Sequence, residues 1–442
     1  MSKVYLAGAG PWDERLVTEG CESVLRLADT VVYDNLVNPS ILRYAPDAEL
    51  IYAGKRAGNH HLPQEEINAL LVRLAKEGKT VVRLKGGDPY VFGRGGEEAR
   101  ALIDNGVDFE VISGVSSCYG VPSSAGIAVT NREYSSSFHV FAGHGEIDFK
   151  TAAAAKGTLV FLMGKSSLGR IAEELIKNGK SPGERCAVIS EGTSSREKCV
   201  SGTLEDIAEK AAQLPTPAVI VVGEAAGNIL SPKEKSGKRI IVAGKVETLG
   251  GLHESGADIL RIPLIKSRRL TEVKSVDFNG FNLIAFASRE GVRAFFDYIG
   301  DVRKIGHVKY IAAAGNATAA ELKRYGIAAD IVPKKVGAAG ILEEIGRLTD
   351  KISALLPCSV QSPPTLCEGL RSAGAYAERL ELYSTEADFS RKELLNLYEK
   401  TADSIILTSP TCVDAFMAMT EGTNAELRAI GGTTERYLKN FV

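Results

Sequence analysis

The chain has 442 residues, 44% hydrophobic and 24% charged, with a formal net charge of −2, enough for two or three domains with separate cores. A charge so near zero supplies no global field for nucleic acid or an anionic membrane, and no run approaches the roughly 18 apolar residues that span a bilayer. The 7 cysteines are scattered without a C-x-x-C pair and the one close histidine pair, His60–His61, is adjacent, so neither a disulfide framework nor a metal site is expected.

The chain opens on MSKVYLAGAG, a strand-like run lacking the charged, apolar and cleavage regions of a signal peptide, and a cytoplasmic protein is expected. Strand-like runs follow at 4–10, 29–35, 80–86, 109–115, 139–143, 158–164, 186–192 and 218–223. Amphipathic stretches such as 64–79 and 167–180 lie between them. This alternation predicts an α/β architecture with function carried by the loops at strand ends.

After the first strand comes Gly8-Ala9-Gly10-Pro11-Trp12-Asp13. Alone it reads as a tight turn, because the third glycine of a dinucleotide fingerprint is absent and no Gly-Lys-Ser/Thr phosphate loop occurs. The run Lys85–Glu98, KGGDPYVFGRGGEE, holds five glycines, an Asp and an Arg, more than a plain connector needs. Glycine admits left-handed turns and close backbone approach, at about 0.5–1 kcal/mol each within regular structure. The segment therefore reads as a ligand-binding loop in which Asp88 accepts hydrogen bonds from a ligand amine or hydroxyl.

The polar stretch 228–238, NILSPKEKSGK, reads as a domain linker. Beyond it lies a repeat: LIAFASREGVRAFF (283–296) matches SIILTSPTCVDAFM (404–417), and YIAAAGNATAAELKRYG (310–326) matches LRAIGGTTERYLKNF (427–441). Two copies of strand, turn and helix predict two similar α/β lobes. The first copy continues through 329–348 and the second reaches Val442, so one lobe is expected to be a strand–helix unit short.

In the first half, GAGPWD, VVYDNLV, GKRAG, PQEEIN, VVRLKGGDPYVFGRGGEEA, SSAGIAVTNR, FLMG and TPAVIVVGE occur in order. Together they resemble the uroporphyrinogen-III C-methyltransferase family. The resemblance implies two α/β lobes with a cofactor cleft between them, usually in a homodimer, methylating a tetrapyrrole with S-adenosyl-L-methionine and no metal. It assigns donor contacts to Pro11, Gly86, Gly87, Asp88, Val91, Ser116, Ser117, Met163 and Gly192, and it makes Asp34 a proton acceptor and Lys55 a proton donor. A plain Asp34–Lys55 ion pair is the structural alternative. The substrate carries eight carboxylates, so Arg56, Lys85, Arg94 and Arg132 are expected to bind it, arginine through its planar fork. His60 and His61 either meet the same acid groups or face solvent. Two positions depart from the pattern: Trp12 replaces the usual glycine, and Ser116 replaces a threonine.

In the second half, FASREGVRAFF, AAAGNATAAEL, LELYST, LTSPTCVDAF and AIGGTTERYL resemble uroporphyrinogen-III synthase, which cyclises hydroxymethylbilane without a cofactor. The expected organisation is 1–230 as methyltransferase and 238–442 as a synthase-like domain. The latter has one lobe from 238–262 plus 386–442 and another from 263–385. The resemblance makes Tyr383 the tyrosine that assists loss of the hydroxyl, and it puts Ser288, Thr318, Ser409 and Thr434 on the cleft. Such residues at helix starts are also ordinary caps, the preferred reading for Ser288 and Thr318. The Thr-Arg and longer first helix usual in the family give way here to AGKVETLGGLHESGAD (243–258).

The overall expectation is a two-lobed tetrapyrrole methyltransferase fold followed by a two-lobed α/β synthase-like fold. Three functional readings stand beside one another: a bifunctional enzyme; a methyltransferase whose second half is a binding or docking module; and a methyltransferase for a later corrin intermediate or ribosomal RNA. The absence of a basic stripe disfavours RNA. No G-x-G-x-x-G follows a strand, so no NAD-dependent activity is expected.

Overall fold

The computed structural model describes residues 3–54, 62–230, 235–244, 256–335, 337–348 and 351–441. Two compact units divide the chain. One comprises Met1–Ile262, Ser390–Leu407 and Thr420–Ile430; the other comprises Pro263–Phe389, Thr408–Met419 and Gly431–Val442.

The first unit begins with a parallel sheet of β1 (Val4–Gly8), β2 (Thr30–Tyr33), β3 (Glu49–Tyr52), β4 (Val81–Lys85) and β5 (Phe109–Ile112), in the order β3-β2-β4-β1-β5. Helices α1 (Glu19–Leu25), α2 (Gln64–Lys76), α3 (Gly95–Asp104) and α4 (Ser117–Ser124) accompany it. Parallel strands need crossovers and are covered on their faces, so they read as continuous apolar runs; β4 is buried at all five positions. Each fully buried Leu or Val, such as Leu6, Val81 and Leu84, contributes about 1.5–3 kcal/mol relative to exposure. The chain winds outward from β1 to β3 and then returns, so the carboxyl ends of β1 and β4 lie side by side where the winding reverses. Open α/β sheets bind ligands at such points.

A second sheet follows, made of β6 (Phe138–Ala142), β7 (Thr158–Leu162), β8 (Arg185–Ser190), β9 (Lys198–Thr203) and β10 (Ala218–Val222). Its order is β6-β7-β10-β8-β9, parallel only between β6 and β7. Between its strands run α5 (Phe149–Ala154), α6 (Leu168–Lys177) and α7 (Ile207–Lys210). In α6 the buried residues Leu168, Ile171, Ala172 and Leu175 fall at the i, i+3, i+4, i+7 spacing of one helical face.

The first unit also holds the parallel strands β11 (Arg239–Val242) and β12 (Asp258–Arg261). The second unit contains β13 (Ile265–Arg269), β14 (Leu283–Phe286), β15 (Tyr310–Ala313), β16 (Ser353–Ser359) and β17 (Tyr376–Ala387), in the order β13-β17-β16-β14-β15. Around them are α8 (Arg289–Ile299), α9 (Asn316–Arg324), α10 (Ala338–Ile345) and α11 (Thr365–Ser372). Along β14, Ile284 and Phe286 enter one core, while Leu283 and Ala285 enter another. That is strand alternation with both faces covered.

Back in the first unit, α12 (Lys392–Glu399) precedes β18 (Ser404–Leu407), whose sheet with β12, β11 and β19 (Glu426–Ala429) has the order β12-β11-β18-β19. Helices α13 (Pro410–Met419) and α14 (Gly432–Leu438) belong to the second unit. The sequence repeat is thus structural: β14 and β15 are parallel neighbours, as are β18 and β19, and a helix follows each of the four strands. Among the described residues no helix is long and apolar enough to cross a membrane, and no group of His, Cys, Asp and Glu could hold a metal ion.

Candidate active site

The carboxyl ends of β4, β1 and β5, neighbours in the first sheet, converge on bare backbone. Gly87 N donates to the Gly10 carbonyl at 2.8 Å, and Gly10 N donates to that of Gly87 at 3.2 Å. A Cβ on Gly114 would lie 2.3 Å from the Gly87 oxygen, and one on Gly8 would lie 2.5 Å from the same atom. Only glycine permits this approach. Asp88 fastens the junction from the side. Its Oδ1 accepts from Tyr90 N at 2.8 Å and its Oδ2 from Gly114 N at 3.1 Å, so the carboxylate joins the glycine loop to the end of β5.

A second feature marks the same region. Among the described residues six non-glycines have positive φ: Trp12 (91°), Phe92 (51°), Arg94 (59°), Met163 (58°), Glu191 (47°) and Thr193 (66°). They lie in the loops after β1, β4, β7 and β8, the segments that the sequence motifs single out. A side chain in this backbone region costs of order 1–3 kcal/mol and persists only where surrounding structure over-determines it, commonly at ligand sites.

The loops of the two lobes meet. Asp13 N donates to Thr193 Oγ1 at 3.2 Å, and the Thr193 hydroxyl donates to the Pro11 carbonyl. A Cβ on Gly192 would lie 2.3 Å from Val121 Cγ1. Val91, in the glycine loop, packs on the core formed by Cys118, Val121, Val160 and Val219. Ser116 is buried and caps α4, accepting from Cys118 N at 3.4 Å, and Ser117 is the first residue of that helix. Met163 stands 46% exposed at the end of β7, and Gly86 sits against Leu36.

Beneath the glycine loop lies a network of charges. Arg83 and Lys85 are 4% and 5% exposed, and Glu98 is fully buried. Glu98 Oε1 is 2.8 Å from Lys85 Nζ and 3.1 Å from Arg83 Nε, and it also accepts from Gln64 Nε2 at 3.3 Å. Arg83 Nη2 is 3.3 Å from Asp34 Oδ2, while Asp34 Oδ1 accepts from Leu36 N at 3.1 Å. Burial, together with the like charge of Arg83, holds the Lys85 ammonium below its usual pKa of 10.5. Lys85 is thus committed inward and is not a free cation at a cleft. Strand alternation puts it on the same face of β4 as Arg83, where Glu98 serves both. The sequence reading missed Arg83, Glu98 and Gln64, whose signal was a charged pair inside the apolar run VVRLK. Lys55, Arg56, His60 and His61 lie outside the described residues. Arg94 is exposed and paired with Glu97 at 2.7 Å, and Arg132 is exposed.

In the second unit Tyr383 is 5% exposed on β17, and its hydroxyl is 3.1 Å from Ser288 Oγ. Burial pushes the phenol upward in pKa. Ser288 also accepts from Gly291 N at 3.0 Å, capping α8. Ser409 likewise accepts from Cys412 N at 3.2 Å at the start of α13. Thr318 is buried in α9 and Thr434 in α14. Tyr383 and Ser288 are therefore brought together, whereas Ser409 and Thr434 sit on other elements.

Comparison with known proteins matches two families in succession along the chain. The model of the tetrapyrrole (corrin/porphyrin) methylases matches residues 3–208, and that of uroporphyrinogen-III synthase HemD matches 246–441. The uroporphyrinogen-III C-methyltransferase of Bacillus subtilis is 37% identical over 347 residues, covering 73% of this chain and 71% of that protein. The porphyrin biosynthesis protein HemD of Ruminiclostridium josui is 33% identical over 448 residues, covering 94% of this chain and 88% of that one. The S-adenosyl-L-methionine-dependent uroporphyrinogen III methyltransferase of Methanosarcina barkeri is 47% identical over 232 residues, covering 50% and 91%.

Proposed function

The chain belongs to the uroporphyrinogen-III C-methyltransferase family, and from that premise we propose that residues 1–230 methylate uroporphyrinogen III to precorrin-2 with S-adenosyl-L-methionine as donor. The observation that carries this reading is the coincidence of the Gly8–Gly87–Gly114 junction with the positive-φ residues on loops from both lobes. A Cβ on Gly8 or Gly114 would strike the packed backbone, whereas one on Gly87 would have only Ser117 N, at 3.9 Å, within reach, which fits a donor held against bare peptide groups at Gly87. Pro11, Gly86, Gly87, Asp88, Val91, Ser116, Ser117, Met163 and Gly192 are the residues that would hold it. When bound, the donor supplies an electrophilic methyl group on a sulfonium, and it leaves as neutral S-adenosyl-L-homocysteine.

The chain itself supplies position and proton traffic. Holding the acceptor carbon in line can supply about 7–11 kcal/mol of the barrier reduction. Asp34, steadied by Arg83 and the Leu36 N–H, takes the proton that the macrocycle loses around methylation, with Lys55 as the donor. Arg56, Arg94 and Arg132 meet the substrate carboxylates through bidentate hydrogen bonds, while Lys85 supports the loop through Glu98.

Residues 238–442, with lobes 238–262 plus 386–442 and 263–385, are proposed to cyclise hydroxymethylbilane to uroporphyrinogen III. Tyr383, paired with Ser288, assists departure of the hydroxyl, and Ser409 and Thr434 bind substrate. A second reading, a docking module, is favoured by the engagement of Ser288 and Ser409 as helix caps. The working form is a homodimer through the methyltransferase half, in the cytoplasm.

Mass spectrometry of whole-chain reactions with S-adenosyl-L-methionine tests these readings together. Hydroxymethylbilane converted to precorrin-2 supports both activities. Methylation only when uroporphyrinogen III is supplied supports the docking reading. An unmethylated macrocycle in both reactions refutes the methyltransferase.

A further inference from the structure

We propose that the C-terminal half completes the acceptor side of the methyltransferase site, with Trp12, Arg239 and Tyr398 positioning the loop that carries Asp34. The inference rests on the reading of Asp34 as the proton acceptor, and it asks what holds that residue in place.

Trp12 stands at φ 91°, a backbone conformation that glycine adopts freely and a bulky side chain does not. Its ring must therefore offset the strain. The indole centroid is 6.0 Å from that of Tyr398 at an interplanar angle of 58°. The Arg239 guanidinium lies 5.2 Å from the indole centroid and 5.9 Å from the Tyr398 ring. Trp12 Nε1 is buried without a hydrogen-bond partner, so the tilted ring contact and cation–π attraction hold the side chain. The cation is itself fixed: Arg239 Nη1 donates to Thr401 Oγ1 at 3.0 Å, and Nη2 lies 3.4 Å from Asp258 Oδ2.

This cluster reaches the Asp34 loop at successive points. The Tyr398 hydroxyl donates to the carbonyl of Asn35, next to Asp34, at 3.5 Å. Burial pushes that phenol up in pKa, so it stays a donor. The Trp12 carbonyl accepts from Asn38 Nδ2 at 2.9 Å. Two residues on, Ser40 is fully buried; its hydroxyl donates to the Ile259 carbonyl at 2.7 Å and accepts from Arg261 N at 2.9 Å. Arg83 anchors the loop from the methyltransferase side, while Tyr398 and β12 anchor it from the C-terminal half. Of the residues proposed to hold the donor, Gly86 meets Leu36 of this loop and Pro11 precedes Trp12, whereas the Gly8–Gly87–Gly114 junction makes none of these contacts.

The experiment uses the full chain and four variants: Trp12→Gly, Trp12→Phe, Tyr398→Leu and Tyr398→Phe. Steady-state kinetics with uroporphyrinogen III are set against calorimetric affinity for S-adenosyl-L-homocysteine. Trp12→Gly restores an unstrained backbone without the ring. It and Tyr398→Leu are expected to lower kcat/KM for the tetrapyrrole about tenfold, as loss of an aromatic contact implies. S-adenosyl-L-homocysteine affinity is expected to stay within about twofold of wild type, a change of only a few tenths of a kcal/mol. Trp12→Phe should recover most of the loss, whereas Tyr398→Phe, which lacks the hydroxyl that holds the Asn35 carbonyl, should recover only the part due to the ring. Wild-type kinetics in both ring-deleted variants overturn the proposal, as do parallel losses in kinetics and donor-product affinity. If the methyltransferase reading itself is wrong, the wild-type chain makes no methylated product, and this proposal falls with it.

Discussion

Gly114→Ala places one methyl group against the junction of three strand ends. Its Cβ would lie 2.3 Å from the Gly87 oxygen and 2.8 Å from both Gly8 C and Gly8 Cα, where ordinary contact begins at 3.4 Å. The obstructing atoms are all backbone, so no rotamer change relieves them. About an ångström must come from moving Gly87 or Gly8; Gly87 is tied by the Gly10–Gly87 hydrogen bonds, and Gly8 is paired with Lys85 across β1 and β4. Overpacking of this kind costs about 1–3 kcal/mol. Displacement of the Gly87–Asp88 loop moves the backbone proposed to hold the donor, so S-adenosyl-L-homocysteine affinity should fall about tenfold to a hundredfold. Titration calorimetry reads the affinity, and circular dichroism reads the Tm of the same sample. A folded variant with a lowered Tm and undiminished affinity would show the junction to be structural only, and the reasoning from bare backbone to donor site would fail.

Asp88→Ala removes the acceptor for both Tyr90 N and Gly114 N. S-adenosyl-L-homocysteine affinity should drop about tenfold, given roughly 1–3 kcal/mol for leaving such donors unsatisfied; unchanged calorimetry would remove Asp88 from the site. Stability should also depend on pH through Lys85, whose folded pKa lies below 10.5 because of burial and then Arg83. Within the window just below 10.5 the unfolded chain binds more protons, so stability rises with pH. Urea titrations from about pH 8 to about pH 10 should show a rise that Lys85→Met lacks; identical slopes would contradict it. Tyr383→Phe should slow cyclisation of hydroxymethylbilane about a hundredfold, the scale of a lost proton donor, and a wild-type rate would leave Tyr383 a core residue.

The alternating strands and the glycine loop were legible because both are local: apolar runs of fixed period, and five glycines within fourteen residues. Two edge strands, β9 and β3, were not, although the edge strands β5 and β6 were. β9, KCVSGT, has no buried position and carries no apolar signal, and β3 is buried only at Tyr52. Site chemistry showed the same division. Asp88 stands out in the sequence as the carboxylate of the glycine loop, yet its hydrogen bond to Gly114 N, twenty-six positions on, lies beyond any local window. Lys85 reads as a cation beside a binding loop, and only the fold reveals the face it shares with Arg83 and the Glu98 carboxylate beneath it. Trp12 was visible as a departure from the family pattern; its partners Arg239 and Tyr398 are far along the chain and carry no motif that points back to it.

A crystal structure of the full chain soaked with S-adenosyl-L-homocysteine tests the central claim most directly. The ligand is expected within hydrogen-bonding distance of backbone groups in residues 86–91, flanked by Pro11, Ser116, Met163 and Gly192. Ligand bound at saturation but away from that segment would contradict the account.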